Sequence, residues 1–242
     1  MFFALLYSEL MKLMRSMGFL VIVVTPALPG LLVFLAVVSS DREASWQSML
    51  QDFAWPIWTL FLLPLAISGF SALAGQVEHR DRGWDQLLTL PVRRPAMFAT
   101  KLLVGLAAVP VMTVLMIFAV LAAAFLGSSV GAGTMTGAVD VGAVLELAVK
   151  TSASALAIAA IQFWVSHRFS NFVAAVSVGS AGTLVIIASA MTGLMHGQWF
   201  PWLYPYRTYT GTGDLDPIAA SLAVTAVVSF LAVMDLSRKE YR

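Results

Sequence analysis

Seven charged residues and one histidine crowd into the stretch from Glu78 to Arg94, a polar island in a chain that is otherwise strongly apolar. The stretch reads Glu78-His79-Arg80-Asp81-Arg82-Gly83-Trp84-Asp85-Gln86-Leu87-Leu88-Thr89-Leu90-Pro91-Val92-Arg93-Arg94. Trp84, Leu87 and Leu88 stand at i, i+3 and i+4, so a helix here carries one apolar stripe. Glu78 and Arg82 are four apart and can pair, while Asp81 and Asp85 share another face. Gly83 marks a break between short turns, and Pro91 stops the helix. An apolar ridge with a charged rim suits a groove on a soluble partner. The expected chemistry is recognition.

Bond-making chemistry has little to work with. There is no cysteine, so thiolate nucleophiles, thiolate metal sites and disulfides are excluded. His79, His167 and His196 are scattered along the chain. Asp81 and Asp85 could mimic a carboxylate pair for a divalent ion, but the sequence supplies no further ligands. A membrane enzyme would need clustered acid–base or metal groups at a water interface. An ion-coupled secondary transporter would carry ionisable groups at mid-membrane. Here the mid-span polar residues are neutral, Thr59, Ser68, Thr113, Gln162 and Ser180 among them. Glu146 and Lys150 are in-span charges near one end of a span and can pair at i, i+4.

The elements that position the island are membrane helices. With 60% hydrophobic and 11% charged residues and a mean hydropathy of +0.86, the chain departs from the soluble pattern, in which roughly a quarter of residues are charged. A spanning helix needs about 20 apolar residues. Segments 17–39, 54–76, 97–126, 144–166, 171–194 and 217–236 qualify, in one transmembrane domain over 1–242. With the N-terminus inside, eleven basic residues fall on inside segments, from Lys12 and Arg15 to Arg238, Lys239 and Arg242. Arg42 and Arg207 alone fall outside. The positive-inside rule therefore predicts that both termini are cytoplasmic. Charges at Glu9, Lys12 and Arg15 interrupt the first apolar run, so no cleaved signal peptide is expected.

Residues 2–16 read as an amphipathic helix in the interfacial plane. Ser8, Lys12 and Arg15 line one side, Glu9 flanks them, and Phe2, Phe3, Leu6, Leu10, Leu13 and Met14 cover the rest. The first span contains Pro26 and Pro29-Gly30, which predict a kink or unwinding. The outside segment 195–216 is dense in aromatics, with Trp199, Trp202, Tyr204 and Tyr206 as candidates to line a re-entrant stretch or meet cargo. An aromatic belt at headgroup level is the plainer reading of the same rings. The patch Ser177–Gly182 of small residues predicts close helix contacts, within the chain or at a dimer seam.

The run from Glu78 through Arg82-Gly83, Leu87-Leu88, Pro91 and Arg93-Arg94 to Lys101 resembles the first cytoplasmic loop of ABC-2-type exporter permeases. The whole plan resembles them too: an amphipathic N-terminal helix, six spans, that loop between spans two and three, and an irregular outside segment before span six. Glu78-His79-Arg80-Asp81-Arg82-Gly83-Trp84, with Trp202-Leu203-Tyr204-Pro205, looks like the subgroup associated with lantibiotic and bacteriocin self-protection.

The resemblance implies an all-α integral membrane fold of the ABC-2 (type V) exporter kind in a bacterial cytoplasmic membrane. It implies no ATPase in this chain, and no Gly-x-x-x-x-Gly-Lys-Ser/Thr loop occurs in it. ATP and Mg would sit on a partner ABC ATPase dimer, and a second permease chain would flank the pathway. No cofactor in the chain itself and no nucleic acid are expected. Residues 78–92 would be the coupling loop, with Glu78, Arg82 and Asp85 as charged contacts and Trp84, Leu87 and Leu88 as packing contacts. Residues 2–16, with Glu9, Lys12 and Arg15, would be the connecting helix. Cargo would be hydrophobic or amphipathic, an antimicrobial peptide or a lipid-like molecule. A non-transporting subunit of a sensor or biogenesis complex remains an alternative reading of the same plan.

Overall fold

The computed structural model describes residues 2–40, 43–79, 93–131, 133–192 and 198–239, without the side chains of Glu78 and His79. The fold is all-α. Helix α1 (Phe2–Met14) leads through a two-residue turn into α2 (Met17–Val38). A short helical approach, α3 (Trp46–Ser48) and α4 (Trp55–Ile57), feeds α5 (Leu63–His79). Then come α6 (Arg94–Val130), α7 (Val141–Arg168), α8 (Phe172–Thr192), the short α9 (Tyr204–Thr210) and α10 (Pro217–Arg238). Two-residue strands β1 (Ala44–Ser45) and β2 (Met135–Thr136) pair in parallel beyond one end of the bundle.

Among the described residues, six helical stretches are long and apolar enough to cross a membrane: α2, the run Trp46–Val77, α6, α7, α8 and α10. Their starts are written locally. Asp140 Oδ1 accepts from Ala143 N at 3.0 Å to begin α7, and Asp216 Oδ1 accepts from Ile218 N at 2.9 Å ahead of Pro217 to begin α10. At a rise of about 1.5 Å per residue, α6 is ~55 Å long and overshoots the ~30 Å hydrocarbon core.

Two expectations change. Pro26 and Pro29 lie within α2, which runs unbroken from Met17 to Val38. Both prolines and Gly30 are buried, and α2 lies along α6 so closely that a Cβ on Gly30 would stand 2.7 Å from the Ala119 carbonyl oxygen. Packing against a neighbouring helix therefore accompanies a proline-bearing stretch that stays helical rather than unwinding. The second span begins earlier than residue 54, at Trp46, and is not one regular α-helix. It contains π-helical turns at Met49–Ala54 and Trp58–Leu62. Indole N–H groups brace it: Trp55 Nε1 donates to Thr151 Oγ1 of α7 at 3.1 Å, and Trp58 Nε1 to Thr113 Oγ1 of α6 at 3.4 Å. Both rings are fully buried, so these bonds satisfy donors that water cannot reach.

The core gathers Trp55, Trp58, Ile67, Met112, Met116 and Ile158 between α5, α6 and α7. On α8, the buried Gly179 lets Ser68 of α5 and Gln162 of α7 close in, and Gly182 takes the Trp202 ring. The small-residue patch thus serves packing within the chain at these two glycines. The lipid-facing surface stays apolar, with Phe118, Phe125, Leu184 and Phe230 exposed.

Candidate functional site

One end of the bundle collects α1, the end of α5, the start of α6, the end of α7, the start of α8 and the end of α10. Most basic residues lie there, and we call it the basic end. The connection 80–92 joins α5 to α6 at this end, so Arg82, Trp84, Asp85, Leu87 and Leu88 fall outside the described residues. Glu78 is in the last turn of α5, with its side chain likewise outside the description.

Helix α1 has no buried residue. It docks on the bundle through Leu13, packed against the core, and through a carboxylate: Glu9 Oε2 accepts from Lys101 Nζ of α6 at 2.7 Å, and Glu9 Oε1 from Lys12 Nζ at 3.2 Å. The Lys101 side chain is 5% exposed and that of Glu9 12%. A pair this dry matters through what removing one partner leaves behind, a charge held away from water. Lys12 stands further out, and α1 ends at Met14 rather than at residue 16. Arg15 is exposed in the turn to α2, where its N–H donates to the Lys12 carbonyl at 3.2 Å.

Neighbouring polar bonds close the same end. Gln76 Nε2 donates to the Ser170 carbonyl at 2.9 Å, tying α5 to the link between α7 and α8. Asp235 Oδ2 of α10 accepts from Trp164 Nε1 at 2.9 Å and meets Arg168 Nε of α7 at 3.2 Å. Lys239, just past α10, donates to the Arg168 carbonyl. Partial burial and the Arg168 charge pull the Lys239 ammonium below its ordinary pKa, against an opposing pull from Asp235. His167 is buried, its Nδ1 2.9 Å from the Phe163 carbonyl and 3.1 Å from Ser166 Oγ.

At the opposite, aromatic end, Pro201–Leu203 forms a 3-10 turn that leads into α9. The four rings singled out from the sequence part company there. Trp202 and Tyr204 are buried, Tyr206 is half-buried, and Trp199 is 74% exposed. Trp202 stacks on Phe200 with ring centroids 5.4 Å apart, and Tyr204 Oη donates to the Trp199 carbonyl at 2.9 Å. Burial raises the Tyr204 phenol pKa, partly offset by Arg207. Burial, then Asp52 and Tyr206, raises that of Tyr209.

Arg207, 1% exposed, is the keystone of this segment. It donates to three carbonyls: from Nε to Thr212 at 3.0 Å, from Nη1 to Gln198 at 3.0 Å and from Nη2 to Leu215 at 3.4 Å. Gly213, at φ +95°, lies against the guanidinium where a Cβ would collide with it. In the sequence Arg207 reads only as an outside charge, and Lys101 only as the end of the loop motif. The signal for both was a cation inside an apolar context; their partners are set by the tertiary fold. Glu146 and Lys150 pair on the exposed face of α7, as their spacing allows. Among the described residues no group of three or more His, Asp or Glu side chains is placed to hold a metal ion.

A family model described as ABC-2 family transporter protein matches residues 5–202. No curated protein and no solved structure matches the chain.

Proposed function

Because this chain belongs to the ABC-2 family of transporter proteins, we propose that it is the membrane-spanning permease of an ATP-driven exporter. It works beside a separate ABC ATPase dimer that binds ATP and Mg, and beside a second permease chain. Both termini and the 78–92 loop face the cytoplasm of a bacterial cell. The observation that carries this reading is the convergence of two levers at the basic end. Helix α1 is pinned by Glu9 to Lys101 near the start of α6, and α6 is the helix that the 80–92 connection enters. A push on that connection would be felt by α1 and α6 together. Nucleotide-driven closure of the ATPase pair would then tilt the spans as packed units.

The cargo we assign is hydrophobic or amphipathic, an antimicrobial peptide or a lipid-like molecule, and a self-protection role follows from the Trp84 and Trp202–Pro205 motifs. The middle of the bundle supports this: among the described residues its buried polar groups are hydroxyls and one amide, Gln162, and the buried cations Lys101 and Arg207 stand at the two ends.

The test is co-purification. Tagged protein is extracted from its native host in mild detergent, with and without Trp84, Leu87 and Leu88 replaced by Ser. The wild type should bring down a Walker-motif ATPase in stoichiometric amount, and the triple variant should insert normally but lose it. Equal recovery with both proteins would overturn the docking role. Absence of any ATPase from intact wild type would overturn the exporter reading.

A further inference from the structure

A half-open cavity of about 50 Å³ lies at the basic end between α1, α5, α6 and α7. Its lining is divided by chemistry. Lys12, Lys101, Ser16, Ser71 and His167 bring cationic and hydrogen-bonding groups, with Glu9 set between the two lysines. Among the described residues the remaining wall is apolar, with Leu13, Phe70, Val104 and Phe163 in it. Gly105 belongs to this wall, and a Cβ added there would meet nothing within 4 Å. A lodged water needs about 10–15 Å³, so the space holds a few waters or one phosphate-sized group. It cannot hold a whole amphiphile.

From this cavity we infer a resident lipid site: the phosphate of an anionic glycerophospholipid, from the leaflet beside α1, sits against Lys12 and Lys101 while its glycerol end leaves along Gly105 and Val104. Ammonium groups bind phosphate as point charges with up to three donors each. Glu9 acts as the positioning residue, holding both ammoniums at the cavity wall. The source of the phosphate is argued from α1. Phe3, Tyr7 and Met14 are exposed on that helix, which leaves them to be covered by the interface. A cavity walled by such a helix opens at headgroup depth, where phosphates are carried by lipid. Basic pockets between membrane helices recognise anionic headgroups on this principle. The occupant would join α1 to α6 and α7 without being cargo, so the site stands apart from the exporter reading.

The full chain in mild detergent is titrated with dioleoyl phosphatidylglycerol, and bound lipid is counted by native mass spectrometry. Dioleoyl phosphatidylcholine and inorganic phosphate serve as comparison probes. The wild type should hold one phosphatidylglycerol under conditions that strip phosphatidylcholine. Gly105→Leu, which fills the apolar wall and leaves every charged residue in place, and Lys12→Ala should each weaken that binding about tenfold. Arg15→Ala removes a nearby exposed charge outside the cavity lining and should leave it unchanged. If Gly105→Leu fails to fold, the contrast between Lys12→Ala and Arg15→Ala decides. Equal retention of phosphatidylcholine, equal losses at Lys12 and Arg15, or undiminished binding in folded Gly105→Leu would each overturn the site. Protection against heat by inorganic phosphate equal to that by the lipid would overturn the lipid as its source.

Discussion

Glu9 and Lys101, far apart in sequence, meet at 2.7 Å and form a polar link between the N-terminal helix and the bundle. Their coupling is measurable in detergent by a double-mutant cycle on thermal or denaturant unfolding. Glu9→Gln and Lys101→Met should each destabilise the protein by about 1–3 kcal/mol, because each leaves a partly buried charge less well matched. The double variant should lose less than the sum, with a coupling of roughly 0.5–3 kcal/mol. Additive losses would show that the two side chains act independently.

The weld between α2 and α6 predicts opposite outcomes at two glycines. Gly30→Ala pushes a methyl group to 2.7 Å from the Ala119 carbonyl and should cost about 1–3 kcal/mol of stability. Gly105→Ala meets nothing within 4 Å and sits inside α6, where Ala is favoured over Gly by up to ~1 kcal/mol. Melting temperatures of the two variants should move to opposite sides of the wild type.

Alkaline sensitivity should report on the aromatic end. The Tyr204 and Tyr209 phenols have pKa values raised above 10.0. Folded and unfolded chains therefore bind the same protons at these sites below that pH. Above it the unfolded chain ionises first, so stability is lost as pH climbs from 10.0 through the raised values. Absorbance titration should find these phenols ionising later than free tyrosine. Tyr204→Phe should reduce the slope of stability against pH above 10, while costing about 1 kcal/mol at neutral pH for the bond to the Trp199 carbonyl.

Topology can be read by labelling, since the native chain has no cysteine to remove. Asp214 is exposed at the aromatic end and Ser170 at the basic end. Asp214→Cys should react with a membrane-impermeant maleimide on intact cells, and Ser170→Cys only after permeabilisation. The reverse pattern would turn the protein over in its membrane.

Much of the architecture was readable because span formation depends on local hydropathy. Five of the six spans begin and end within a few residues of the apolar runs. The second span was misread at its start because Ser45, which caps the first turn by accepting from Ser48 N at 3.0 Å, is followed by a mixed polar stretch that depresses local hydropathy. The unbroken run of α2 through Pro26 and Pro29 was not legible either, because the surface of α6 that it packs against is set by the tertiary fold. At the candidate site, the sequence picked out Glu9 and Lys12 by helical spacing. It did not reveal that Glu9 reaches Lys101, since a contact between α1 and α6 leaves no periodic trace. Trp202 and Tyr204 were chosen as aromatic residues in one segment, and only the fold separates their buried rings from the exposed Trp199.

The π-turns of the second span have a consequence for anyone mapping it. An α-helix advances about 100° per residue, and each i→i+5 turn takes up roughly one residue more than an α-turn. A helical wheel drawn at constant pitch from Trp46 to His79 therefore loses phase twice, at Met49–Ala54 and at Trp58–Leu62. A substitution scan through this span will show a wider repeat than that of a regular α-helix. Its buried positions Leu50, Ala54, Trp58, Leu62, Ala66 and Phe70 recur every fourth residue, where an α-helix repeats about every 3.6.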